Sequence, residues 1–253
     1  METTQLLNTY FTNFLILVVR LGIIMAFLPF FSTPQLPRQF KVGLTVVLGF
    51  MLSPVINMQI KTTDIPIILV QEVVLGMTMG FAVRLIFWSV ETAGGLISDA
   101  MGLSMATLLN PEMGRSTEVS TILGVLAMLL FLAMDLHHDL IYLIVKSYEV
   151  VPVAHIHTEA LLNRGIALTS QLFAFAIKLA SPVLVGMLLV NILMGFIYKA
   201  APQMNIFFVS MPVHVLIGLV ILMMVTPVLI HFLGVQFSGI SSEVNRIIFT
   251  AKG

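Results

Sequence analysis

Long apolar runs, broken by short polar or proline-bearing segments, set the pattern of this chain from end to end. Six such stretches stand out, at about 10–32, 40–58, 65–90, 119–151, 166–198 and 206–235. A helix crosses the ~30 Å hydrocarbon layer of a membrane with about 20 mostly apolar residues. The first, third, fifth and sixth stretches meet that length easily, and the second lies near its lower limit. The fourth is divided by Asp135-Leu136-His137-His138-Asp139 into a very apolar half and an amphipathic half. That break predicts a bent hairpin there in place of one straight helix. Pro34 and Pro37 close the first stretch, Pro54 and Pro66 frame the turn after the second, and Pro202 lies in the turn between the last two. Pro182, Pro212 and Pro227 fall inside or near the ends of helices. Each removes a backbone hydrogen bond, and lipid offers the freed carbonyl no partner. The pattern predicts an all-α, multi-helix integral membrane protein of bent helical hairpins, and the internal prolines leave two readings open: ordinary kinked membrane helices, or backbone largely packed against protein.

Composition strengthens this reading. Apolar residues make up 58% of 253 and charged residues only 9%, against about 25% charged in a soluble domain. Mean hydropathy is +1.06. A net charge of zero gives no electrostatic footprint for nucleic acid. The chain has no cysteine, which excludes disulfides and thiolate metal sites. Residues 1–9 carry one acid, Glu2, and no Lys or Arg. The apolar run that follows exceeds a signal-peptide core, so it reads as a retained first membrane helix. Six serpentine spans would put Arg38, Lys41, Arg115 and Lys199 on one side and Lys61, Lys146, Arg164, Arg246 and Lys252 on the other. The positive-inside rule expects a clear excess. Four against five is none, which points away from a simple serpentine in lipid.

Charges within apolar stretches are costly and are usually paired or functional. Arg20 lies in the first stretch, Glu72 and Arg84 in the third, and Lys178 in the fifth. Arg84 and Glu91, seven apart, share a helical face. Buried inter-helix or inter-subunit pairs are favoured over an ion path, because pairing is the usual way buried charge is tolerated, and only Glu72 supplies an acid well inside a span. His137-His138-Asp139 and His155-x-His157 offer metal-ligand chemistry, but neither matches His-Glu-x-x-His or another zinc signature. No metal site, cofactor or catalytic constellation is expected, and no Gly-x-Ser-x-Gly elbow is present. The chain reads as non-enzymatic.

The segment 94–114, GGLISDAMGLSMATLLNPEMG, is too broken by glycine for a confident span and too apolar for a solvent loop. Non-helical backbone at membrane depth is tolerated only inside protein or lining a cavity. The residues leave two readings open: a hydrophobic obstruction in a pore, or a re-entrant packing loop.

Met101-Gly102-Leu103-Ser104-Met105-Ala106, followed by Asn110-Pro111, resembles the central loop of the FliR family, called SctT in virulence-associated secretion. His138, then Leu140 to Ser147 and Pro152, is similar to that family's Gly-His, Ser and Leu-Pro pattern. Leu179-Ala180-Ser181-Pro182-Val183, Asn191, Gly195 and Lys199-Ala200-Ala201-Pro202-Gln203-Met204-Asn205-Ile206-Phe207 resemble its Arg-Ala-Ala-Pro-Gln-Leu-Asn-x-Phe region. The match covers about two thirds of the chain in family order. Asn110 replaces the usual Asp, His137 the usual Gly, and Lys199 the usual Arg. The His137 change puts a tight turn there in doubt.

The resemblance implies a structural, pore-forming subunit of the bacterial flagellar (type III) protein export gate, in the inner membrane at the basal body and partly raised above the bilayer. FliP-like and FliQ-like subunits, an FlhB-like switch protein and unfolded export substrates would be its partners. The family chain resembles a FliP and a FliQ joined end to end. Here that implies a FliP-like part over 1–152 with a plug loop near 94–114, a polar junction over 153–165, and a FliQ-like hairpin and tail over 166–253. Gly102, Leu103, Met105, Leu108 and Leu109 would form the plug. Lys199, Pro202, Gln203 and Asn205, at the hairpin tip, would contact another subunit or the FlhB-like protein. The alternative is a multi-pass secondary transporter. Its usual internal repeats with paired broken helices are missing from a chain of four apolar stretches followed by two.

Overall fold

The computed structural model describes residues 2–32, 36–54, 56, 65–103, 118–151, 156–203 and 206–252. Among these residues every regular element is a helix. In chain order they are α1 (Glu2–Phe27), α2 (Pro29–Ser32), α3 (Arg38–Leu52), α4 (Ile65–Ala100), α5 (Glu118–Ala133), α6 (Leu136–Val150), α7 (Thr158–Ala200), α8 (Ile206–Ser238) and α9 (Ile240–Lys252).

Several elements differ from what the apolar runs alone suggest. Among the described residues, four helices have the length and apolarity to cross a membrane, and the α5–α6 pair adds a fifth candidate bent by 65°. The bend falls at Asp135, whose φ of 56° is left-handed, a conformation that Asp tolerates better than most residues. The second apolar stretch yields only the 15 residues of α3, about 22 Å of helix, short of a span. By contrast α4 has 36 residues and α7 has 43. At 1.5 Å per residue these are roughly 54 and 65 Å long, about twice what hydrocarbon requires. α4 runs through Gly94 and Gly95 to Ala100, so the first seven residues of the segment 94–114 are helix and not loop. The helical hydrogen bonds there outweigh the modest intrinsic cost of glycine. Within the polar stretch 153–165, residues 158–165 form the opening turns of α7, and most of the C-terminal tail is α9. Pro182, Pro212 and Pro227 all lie inside helices.

The chain forms two compact units. The first comprises residues 1–85, 131–170 and 237–253. Its core gathers Ile16, Leu17, Leu21 and Ile24 of α1, Leu75 and Met79 of α4, and Leu140, Leu143 and Ile144 of α6. α9 packs on α6. It buries Ile240, Val244, Ile247, Ile248 and Ala251, a helical stripe that fixes which side faces inward. Polar ties surround that stripe. Arg164 pairs with Glu243, Lys146 Nζ donates to Asn245 Oδ1 at 3.1 Å, and Ser241 Oγ donates to Asp139 Oδ2 at 3.1 Å.

The second unit comprises residues 86–130 and 171–236. Along α7 the buried positions Ala176, Ala180, Val183, Met187, Val190 and Met194 alternate by four and three, the spacing of coiled-coil packing. Gly186 faces Ile221 of α8. His214 Nδ1 lies 2.6 Å from the Ser210 carbonyl, and its Nε2 lies 2.6 Å from Asn191 Oδ1 on α7.

Candidate functional site

In the first unit, α1, α4 and α6 bring one cation and one anion together out of water. Arg20 and Glu72 are both fully buried. Arg20 Nε donates to Glu72 Oε2 at 2.5 Å and Nη2 to Oε1 at 2.6 Å, the planar fork-to-fork geometry that suits guanidinium and carboxylate. The remaining guanidinium nitrogen, Nη1, donates to Ser147 Oγ at 2.6 Å. Ser147 Oγ donates in turn to the Ile144 carbonyl at 2.6 Å. The guanidinium carbon stands 3.6 Å from the centre of the Tyr148 ring, within cation–π range. The Tyr148 hydroxyl lies 3.5 Å from Glu72 Oε2. Both carboxylate oxygens are thus engaged, and the charge pair is satisfied from all three helices. An arrangement of this kind locks helices together.

Arg20 and Glu72 are legible as candidates because charge in an apolar run is conspicuous. Ser147 and Tyr148 are not, since each is ordinary on an amphipathic helix. Their signal is the buried face of α6, Leu140, Leu143, Ile144, Ser147 and Tyr148, on which they are the two polar members. Arg84 is half-buried on α4. Lys178 is exposed in this chain taken alone. The inward face of α7 there is Ala176, Leu179 and Ala180, and position 178 points away from it.

The second unit shapes the root of the segment expected to form a plug. The Leu103 N–H donates to the Ser98 carbonyl at 3.0 Å, and Gly102 N–H donates to Asp99 at 3.1 Å. With Gly102 at φ 76°, this is a Schellman cap, which needs a left-handed residue just past the helix end. Gly102 and Leu103 are half-buried. Met105, Leu108 and Leu109 lie outside the described residues. At the C-terminal end of α7, Lys199, Pro202 and Gln203 are exposed at the hairpin tip, and Asn205 lies outside the described residues.

The histidines do not assemble as the sequence motif places them. Asp135, not Asp139, joins His137 and His138, with ligand atoms within 4.8 Å of one another. The two imidazoles stack, with centroids 4.0 Å apart and planes tilted by 39°. His157 is exposed and His155 lies outside the described residues.

Residues 11–240 match the family model described as "Bacterial export proteins, family 1". The flagellar biosynthetic protein FliR of Caulobacter vibrioides is 32% identical over 232 residues, covering 85% of this chain and 91% of that protein. FliR of Escherichia coli K12 is 29% identical over 253 residues, covering 96% and 93% of the two chains. That of Pectobacterium carotovorum is 30% identical over 230 residues, covering 88% and 87%. The chain belongs to the FliR family of bacterial export proteins. None of these FliR names states a catalytic activity.

Within a FliR-family chain, the charge network and the capped end of α4 serve different ends. The first is closed and saturated, and it fixes helix packing. The second ends in an apolar segment with a defined point of departure. With four helices among the described residues long and apolar enough to span, the FliR-family chain is membrane-embedded.

Proposed function

We propose that this chain is a structural, pore-forming subunit of the flagellar protein export gate, and that its segment around Gly102, Leu103, Met105, Leu108 and Leu109 plugs the channel until unfolded substrates pass. FliP-like and FliQ-like subunits are its neighbours in the assembly. Lys199, Pro202, Gln203 and Asn205 at the hairpin tip contact an FlhB-like protein or another subunit. The gate sits in the inner membrane and stands partly above the bilayer plane.

The observation that carries this reading is the combination of length and exposed apolar surface in α7 and α8. α7 is about twice as long as hydrocarbon requires. Leu188, Leu189, Ile192, Leu193 and Phe196 of α7 are all exposed. So are Leu216, Leu219, Met223, Met224 and Val228 of α8. Exposed apolar residues recur along α7 from Leu162 through Ile166, Phe173, Ile177 and Val185 to Phe196, a rise of roughly 51 Å that exceeds the ~30 Å hydrocarbon layer and calls for protein neighbours. Family membership supports the kind of neighbour. The engagement of both Glu72 oxygens within the chain weighs against a carrier that must load and release a proton there.

Co-purification with FliP- and FliQ-like partners, followed by native mass measurement, tests the assembly. A defined hetero-oligomer containing this chain is expected. A chain that stays monomeric and moves a small solute in liposomes would overturn the reading in favour of a transporter. Deleting Gly102 to Leu109 tests the plug. The assembled complex is expected to leak ions, because the obstruction goes while the wall remains.

A further inference from the structure

Three contacts within the second compact unit define where the chain leaves α4. The first is at Gly94, where an added Cβ would overlap the backbone of Ser120, so α4 and α5 touch backbone to backbone. The second is the Ser120 hydroxyl, which donates to the Glu91 carbonyl at 2.9 Å. The third involves Met101, the last residue before Gly102, which is completely buried. A Cβ built on Gly218 of α8 would lie 2.6 Å from Met101 Cγ, 2.9 Å from its Cε and 3.1 Å from its Sδ. The methionine side chain therefore lies along a notch that exists only because position 218 has no side chain.

We propose that Met101, seated in the Gly218 notch, is a positioning residue that registers the end of α4 against α8 and so sets the direction in which the segment beyond Gly102 departs. This rests on the plug reading for its consequence, since the direction of departure matters to closure only if that segment closes the channel. The physical argument is independent of it. The Schellman cap at Gly102 fixes the chain relative to α4 alone. The Met101–Gly218 contact is what ties that cap to the α7–α8 hairpin. An unbranched thioether fills an irregular notch by shape, whereas a β-branched residue at 218 has nowhere to go but into the methionine.

The test uses the chain co-expressed with its partner subunits, in four forms: wild type, Gly218→Val, Met101→Ala, and the double variant. Gly218→Val is expected to leave partner stoichiometry intact while ion leak rises. Amide exchange protection at Gly102 and Leu103 should fall by about tenfold or more as the cap loses its support. In the double variant valine occupies the space that methionine vacates, and both protection and closure should return toward wild type. Wild-type protection in Gly218→Val, or losses that simply add in the double variant, would overturn the proposal. The Gly102-to-Leu109 deletion separates the two ideas. If it does not leak, the plug reading fails, and amide protection alone then decides whether Met101 positions the cap. If it leaks while Gly218→Val, with disturbed protection, does not, the positioning of closure by Met101 is overturned.

Discussion

The Arg20–Glu72 pair is held at a cost that only complete satisfaction offsets. Removing one member of a buried pair leaves an uncompensated charge and typically costs 3–5 kcal/mol. Glu72→Ala is therefore expected to lower the yield and thermal midpoint of the folded chain sharply. A double replacement by apolar residues, Arg20→Met with Glu72→Leu, should be far milder than either single change, because nothing charged is then stranded. A thermal-melt cycle over the four variants checks this, and equal losses in single and double variants would refute it. Ser147→Ala leaves Arg20 Nη1 without its partner and should cost about 1–3 kcal/mol. Tyr148→Phe keeps the ring beneath the guanidinium and gives up only a contact at 3.5 Å, so its midpoint should stay close to wild type. Of this network the charged members are visible in sequence. The serine and tyrosine acquire their role only from the face of α6 on which they fall.

At the scale of elements, the bend between α5 and α6 and the docking of α9 carry distinct expectations. Asp135 holds a left-handed φ, which costs most L-residues about 1–2 kcal/mol and glycine very little. Asp135→Gly should be neutral or slightly stabilising in thermal melts, and Asp135→Val clearly destabilising. The contact of Asp135 with His138 is exposed and contributes little. For α9, Ile247 is completely buried, and Ile247→Ala should cost roughly 2–5 kcal/mol. Glu243→Gln, which weakens a partly exposed pair with Arg164, should cost no more than about 1 kcal/mol. Limited proteolysis should release the C-terminal helix from Ile247→Ala well before Glu243→Gln. The amphipathic spacing of Ile240, Val244, Ile247, Ile248 and Ala251 is present in the sequence. Yet it is short and polar beside the long apolar runs, and it reads as a tail until α6 is seen to cover it.

For the whole molecule, the exposed apolar residues of α7 and α8 predict behaviour in assembly more than in isolation. Leu189→Glu and Leu193→Glu alter positions that are exposed in this chain. They should leave its own helix content unchanged by circular dichroism while abolishing co-purification with partner subunits. A lipid-facing role alone would predict failed membrane insertion, since a charge at the bilayer centre is costly. Fractionation with the membrane, together with loss of partners, is the expected outcome.

The sequence by itself determined the helical class, the membrane environment, the two principal buried charges and the family. The first three follow from residue type and near-neighbour spacing, which act through hydrophobicity and local hydrogen bonding, and the family follows from the resemblance of its motifs. Tertiary structure alone decided that α4 continues through Gly94 and Gly95, that Lys178 faces outward, and that Met101 fills the notch at Gly218. It also brought Ser147 and Tyr148 beneath Arg20. These outcomes depend on how closely two helices approach and which face each presents. A glycine in a helix looks like a break until the backbone that occupies its missing side chain is in place.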